Sequence, residues 1–397
     1  MDSEVESVIN NTIEGLNHEL RQISLQIHDN PELGNREYKA HKLLTDYLDK
    51  QGFKVQCETA GLETAFIAEF SNGPGRRVGF CAEYDALPGV GHACGHNLIS
   101  ISGVACAMAT KTLLEKNLIQ GTVVLFGTPA EESTSGKIDL VTHGEVQKRV
   151  DFAMMLHPFA NDCLYALMLA LDSVVVEYFG KASHAGMAPW NGINAVDALM
   201  QGWNNMAMLR QQTLTTNRLH GIILNGGKSA NVIPDYASAK FYARSVTRNQ
   251  LTELKAKLEH CFEAAAKATG CKMKVTWASK GVVEDVFTND AMILEYKKYM
   301  EQEGIDFPSR AEEERTTTGS TDFGNISNVV PAIHPGFGIH TTASNHTKEF
   351  TEAAGTEEAH ADAIRAARCL AKTAATVFLD DALYERAVAD FKKGKPQ

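Results

Sequence analysis

The sequence predicts an α/β fold, a mostly parallel sheet covered by helices with a smaller ferredoxin-like domain of β-α-β-β-α-β order inserted into it. Three observations lead there. The chain has 397 residues, enough for two domains at roughly 150 residues each. Up to Asp172, stretches of helical period alternate with short, continuously apolar runs, the mark of strands buried on both faces. Beyond Asp172 the strands alternate apolar with polar residues, and two long amphipathic stretches lie between them.

Taken in order, residues 5–28 and 36–52 read as amphipathic helices separated by the turn Asp29–Gly34, where Asn30, Pro31 and Gly34 break the period. Thr64–Phe70 and Arg77–Ala82 read as strands, and the Ala-, Leu- and Ile-rich segment Asn97–Lys116 as a helix. Thr122–Gly127 and Phe152–Leu156 are continuous apolar strands. The inserted module is expected as strand Ser173–Phe179, helix Ile193–Gln211, strands Leu219–Leu224 and Ala237–Ser245, helix Arg248–Thr269 and strand Lys272–Trp277. A long helix from Glu357 to Phe378 closes the pattern, and the domain boundaries fall at 1–172 with 288–397, and 173–287.

Composition narrows the function. Hydrophobic residues make up 44% and charged residues 22%, ordinary for a globular chain with a real core. A formal net charge of -11 argues against nucleic acid or anionic membrane as a partner, since both need basic patches. The eight cysteines show no C-x-x-C pair and no tight framework, which suits reduced thiols. The acidic start Met1–Glu6 resembles neither a signal nor a transit peptide, and no stretch approaches the ~20 apolar residues of a membrane span. A soluble cytoplasmic protein is the expectation.

Ligands of open α/β sheets bind beyond the carboxyl ends of the strands. Glu83 and Asp85 follow one predicted strand, Glu131-Glu132 another and His157 a third, while Gly91–His96 precedes a helix. Thiolate, imidazole and carboxylate are the ligands of zinc and its neighbours, and two ions can share one anionic bridge. Of two adjacent glutamates on a turning backbone, one can bind metal while the other faces substrate and moves a proton. A lone His or Cys is more often packing, and a lone Glu-Glu pair a solvated face. Their coincidence on consecutive strand ends favours a site. A Cys94 nucleophile is a rival, but His96 at i+2 lacks the separate orienting group of such a dyad.

The segment Cys81–Asn97, with Gly319–Asn325 and Asn345–Gly355, resembles the aminoacylase/carboxypeptidase family of dinuclear metallopeptidases, peptidase family M twenty. It is similar to the amidohydrolase branch, and most of all to the β-alanyl-lysine dipeptidase-like group. The likeness runs from about His28 to Ala371. It implies two divalent ions, zinc first with manganese or cobalt as alternatives. It also implies Cys94 as the bridge, His96 and His157 at one ion, and Glu132 and His346 at the other. Glu131 would be the general acid and base, and Asp85 would orient a ligand histidine. Position 83 departs from relatives outside this branch, which place a metal-binding His there. Glu83 is therefore not expected to bind metal. His92 is a further orienting residue or a turn former.

In the inserted domain, Gly180–Gly186 and Gly226–Asp235 also resemble the family. The likeness implies His184 as a donor to the developing oxyanion, in its own or a neighbouring subunit. Asn231 would contact substrate, and Arg244 would pair with a substrate carboxylate or form a structural salt bridge. The inserted domain would be a lid and would join a homodimer. The resulting expectation is a metal-dependent hydrolase that cleaves the amide bond of small dipeptides or N-acyl amino acids by metal-activated water and a glutamate base. The alternative is a ligand-binding or regulatory descendant without activity, against which stands the full set of five ligands and a base.

Overall fold

A computed structural model describes residues 1–315 and 319–394. The chain divides into two compact units, one of residues 1–167, 286–315 and 321–394, the other of residues 168–285 with 319–320.

The first unit is built on a six-stranded sheet in the order Lys54–Cys57, Phe66–Ser71, Gly121–Gly127, Arg76–Ala82, Phe152–Met154, Ala332–Ile333. The last four strands run parallel and the first two join by antiparallel pairing. Successive side chains of a strand point to opposite faces, and here both faces are covered. Phe66, Val123, Leu125 and Phe80 pack into one cluster with the helices Ser3–His28, His96–Glu115 and Glu357–Leu379. Ile67, Val124, Phe126 and Cys81 pack into another with Leu140, Val146, Phe323 and Ile326. That double burial is why these strands read as unbroken apolar runs.

The central helix His96–Glu115 is, by length and composition, apolar enough to cross a membrane, contrary to the expectation that no segment would be. Its residues are buried by protein: the helices Ser3–His28 and Glu357–Leu379 flank it, and the sheet lies beneath. It approaches the sheet so closely that a Cβ on Gly103 would meet the Cys81 carbonyl oxygen at 2.6 Å. The strand expected at 152–156 ends at Met154. A separate two-stranded ladder then pairs His157–Phe159 with Gly336–Gly338.

In the second unit all four strands pair antiparallel, in the order Lys272–Trp277, Ala170–Phe179, Tyr236–Ser245, Arg218–Asn225. With the helices Ala195–Leu209 and Arg248–Thr269 this is a ferredoxin-like arrangement. Asn194 caps the first helix by accepting from the N–H groups of Val196 and Asp197, and Thr247 caps the second. Phe241 is the pillar of this core, its ring 4.9 Å from that of Trp203 on one helix and 5.4 Å from that of Phe262 on the other. Phe241→Ala should destabilise this unit by about 3–5 kcal/mol. Urea unfolding followed by tryptophan fluorescence checks it, and a loss near zero would contradict the packing described.

Candidate metal centre

The register of the parallel strands fixes where the chemistry gathers. Ala82 pairs with Gly127, and Phe80 with Met154, so three chain exits lie along one edge of the sheet. The first exit carries Glu83, Tyr84 and Asp85, all buried, with the Tyr84 hydroxyl donating to the Thr64 carbonyl at 2.5 Å. The second exit turns sharply at Ala130, which has φ 60°, a left-handed conformation costly for a residue with a Cβ. The buried Glu37 holds that turn by accepting the Ala130 N–H at 2.8 Å, while the Ala130 carbonyl accepts from Ser135 N at 2.7 Å. After the turn Glu131 and Glu132 fall in different donor groups, Glu131 with Glu83 and His96, Glu132 with Cys94 and His346. Gly95, with φ 72°, lets the chain swing from Cys94 into the helix at His96, and a Cβ there would strike Pro158 at 2.5 Å.

Donor atoms of Cys94, His96 and His157 lie within 4.8 Å of one another, and so do those of Cys94, Glu132 and His346. Cys94 belongs to both groups. Its Sγ is 3.5 Å from His157 Nε2, and Glu132 Oε1 is 3.1 Å from His346 Nε2 and 4.0 Å from His96 Nε2. All five residues expected as metal ligands are thus brought together. Three are buried, whereas the side chain of His346 remains 55% exposed, on a backbone of φ 71°. The Nδ1 of His157 lies 2.9 Å from the Pro158 carbonyl, which turns Nε2 toward the thiol. Asn345 donates to the same carbonyl at 3.1 Å and lies 3.8 Å from Cys94 Sγ.

Asp85 joins the two groups from behind. Its Oδ1 lies 3.1 Å from His96 Nδ1, and its Oδ2 accepts the Glu132 backbone N–H at 3.0 Å. Burial would push its carboxyl up, but the charge and hydrogen bond of His96 outweigh that and hold it below the usual range. The same pair, with Glu83, outweighs burial at His96 and raises its proton affinity well above an ordinary imidazole. Burial drives His157 the other way, down to about 4, and pushes the Cys94 thiol up. Glu131 is half-buried, and its carboxyl is raised well above the usual range by burial and then by Glu83, Glu132 and Asp322. A cluster so rich in carboxylates has the electrostatics of a cation site. Glu83 Oε2 and His96 Nε2 are moreover buried atoms without a hydrogen-bond partner, a state native proteins rarely leave unexplained. The residues present fit bound divalent metal.

Besides Glu37, one further group went unread in the sequence. Lys137, fully buried, donates to Glu83 Oε1 at 2.5 Å and to Asp322 Oδ1 at 2.6 Å. Its one trace in the sequence is a lysine in the first turn of the short helix Gly136–Thr142, just after the glutamate pair. His92 is buried beside His28, with ring centroids 6.4 Å apart, outside the donor groups.

In the second unit, His184 is exposed, and its Nδ1 accepts from the N–H groups of Gly186 and Met187 at 3.2 and 3.1 Å. In the neutral ring this leaves the proton on Nε2 as a free-standing donor. Asn231 is its neighbour, since the Ala185 N–H donates to the Asn231 carbonyl at 2.9 Å. Arg244 is not brought to them. It lies near the far end of the strand Tyr236–Ser245, roughly 26 Å along at 3.3 Å per residue, and donates to Ser320 Oγ at 3.2 Å.

Comparison with known proteins bears on the fold and the family. Residues 171–270 match the peptidase dimerisation domain family. The chain is 41% identical over 392 residues to the human Xaa-Arg dipeptidase, covering 94% of this chain and 88% of that one. It is 26% identical over 334 residues to the hippurate hydrolase of Campylobacter jejuni, covering 78% and 85%. Its fold matches a dinuclear metal-binding peptidase of Bacillus subtilis, from family M twenty, with a TM-score of 0.71, 20% identity, and 92% and 99% of the two chains covered.

If Asp85 orients both donor groups, Asp85→Asn should weaken metal binding roughly 10–100-fold with the fold intact. Calorimetric titration of metal-free protein with Zn²⁺ checks this. An unchanged affinity would show that Asp85 is dispensable to the donors.

Proposed function

The chain belongs to peptidase family M twenty, and we propose that it is a metal-dependent hydrolase cleaving the amide bond of small dipeptides or N-acyl amino acids. The observation that carries this reading is the pair of donor groups sharing Cys94, with the Glu131 carboxylate beside them. Cys94 would bridge two ions, His96 and His157 would complete one site, and Glu132 and His346 the other. A thiolate among imidazoles and carboxylates suits zinc first, then cobalt or manganese. Bound ions supply Lewis acidity toward the scissile carbonyl and toward water.

The chain's own residues do the remaining work. Glu131, in a different donor group from Glu132, takes a proton from water and passes it to the departing amine. His184 offers its Nε2–H to the oxygen on which negative charge grows, and Asn231 beside it contacts substrate. Arg244, which donates to Ser320 Oγ, would pair with a substrate carboxylate or form a structural salt bridge. The human relative's activity on Xaa-Arg dipeptides makes a basic C-terminal residue the first substrate to try, and a net charge of -11 suits a cationic one. Eight free cysteines support a reducing, cytoplasmic setting.

The second unit is the dimer surface in this reading. Arg218–Asn225 is an edge strand whose Ile222, Ile223 and Leu224 are exposed in succession, and Met200 and Met208 on the helix Ala195–Leu209 are exposed too. An unpaired apolar edge is completed by the same edge of a second copy.

The test is turnover of a panel of Xaa-Arg, Xaa-Lys, β-alanyl and acidic dipeptides, with and without a chelator. Metal-dependent release of free amino acid is expected, and a metal-loaded protein inert toward every member would refute the reading. Glu131→Gln should keep its metal and lose roughly 10²–10⁴-fold in kcat; near-normal turnover would remove Glu131 from its role. The double variant Ile222→Lys, Leu224→Lys should run as a folded monomer in light scattering where the wild type runs as a dimer.

A further inference from the structure

A cavity of about 250 Å³ in the first unit has Glu132, one of the donor residues, in its wall. Ser133 stands beside Glu132, Ala86 and Pro88 form a second wall, and the exposed Leu33 and Arg36 complete the lining. Sites that enclose a whole small molecule run to about 300–1,000 Å³. This one is of a size to receive one end of a substrate.

The walls are fixed to one another. The Ala86 N–H donates to the Glu32 carbonyl at 2.8 Å, which joins the second wall to the segment that carries Leu33 and Arg36. That segment is a turn, with the Arg36 N–H donating to the Leu33 carbonyl at 2.9 Å and Asn35 at φ 64°. The Asn35 side chain donates to Thr134 Oγ1 at 2.9 Å, and Gly34 sits so close to Ala130 and Ser133 that a Cβ would collide with them. The next residue, Glu37, holds the Ala130 turn. One short segment therefore braces the glutamate pair and presents Arg36 to the cavity beside it.

Of the lining residues only Glu132 and Arg36 are charged. The Glu132 carboxylate is engaged by His346, at 3.1 Å. Arg36 has no hydrogen bond or ion pair from its guanidinium among the described residues, whereas Arg77 and Arg149 lie on Asp151 and Glu69. The uncompensated charge of the cavity is thus positive, in a chain of net charge -11. A guanidinium fork matches a carboxylate with two parallel N–H bonds, and the Ser133 hydroxyl is a further donor on the same lining.

Reach identifies which carboxylate. From the attacked carbonyl carbon to the carboxyl carbon of the leaving amino acid, the three bonds sum to about 4.3 Å. That group must lie close to the metal donors, and a cavity walled by Glu132 is close to them. We infer that Arg36 binds the free α-carboxylate of the leaving amino acid, with its aliphatic part against Leu33 and Pro88. The inference rests on the amide-hydrolase reading above, and it gives the carboxylate role to Arg36 in the first unit, leaving Arg244 its structural alternative.

The test offers the metal-loaded protein matched dipeptides, each with its α-carboxylate free and as the α-amide. The wild type should prefer the free form at least tenfold in kcat/KM. Arg36→Gln should lose roughly 10–100-fold on the free form, mainly through KM, as expected for one charge-assisted contact, and stay within twofold on the amide. A wild type that hydrolyses both forms equally would overturn the inference and leave the hydrolase reading standing. So would an R36Q variant that loses nothing, or that loses equally on both forms, since the second pattern marks a structural role. A wild type inert toward every free and amidated dipeptide overturns both readings.

Discussion

The ammonium of Lys137, enclosed by Glu83 and Asp322, is the interaction on which the centre depends. It joins the end of the strand Arg76–Ala82, the first turn of the helix Gly136–Thr142 and the residue preceding the helix Phe323–Ser327, three elements distant in sequence. A buried ion pair contributes little net stability, because desolvation consumes most of the attraction. Removing one partner is another matter, costing about 3–5 kcal/mol, since a bare charge then stays behind. The cluster therefore acts as a geometric constraint more than as glue. It sets the distance between the strand end that leads to Glu83 and Asp85 and the helix start that follows Glu131 and Glu132.

Around that constraint the protein accepts local strain. Ala130 and His346 both hold left-handed backbones, and each flanks or supplies a functional side chain. Strain of this kind persists where neighbours overdetermine it. Glu37 does so for Ala130, and the His346 N–H, donating to the Ala93 carbonyl at 2.8 Å, does so for His346. The donors are placed by backbone hydrogen bonds before any ion is considered.

Much of this was legible in the sequence, and the reasons differ by residue. Both faces of the sheet are buried, so strands such as Gly121–Gly127 read as continuous apolar runs, and their carboxyl ends pointed to Glu131, Glu132 and His157 without a structure. The helix Arg248–Thr269 was readable to the residue because Thr247 caps it and Gly270, with φ 77°, ends it. Met154 was harder: the apolar run continues to Leu156, and only pairing of His157–Phe159 with Gly336–Gly338 breaks it. Lys137 left only a faint trace and Glu37 none, because a buried charge is defined by partners 54 and 93 positions away. The pattern of a sequence reports which face is apolar, and not which charges meet beneath it.

The edge strand Arg218–Asn225 has a consequence of another kind. Three exposed aliphatic residues in a row on an unpaired ladder are what aggregating chains offer one another. Such an edge gains from being covered soon after folding. If a second copy covers it, as proposed, colloidal stability belongs to the assembled form, and dilution would expose a template for disordered association before it disturbed a single donor of the metal centre.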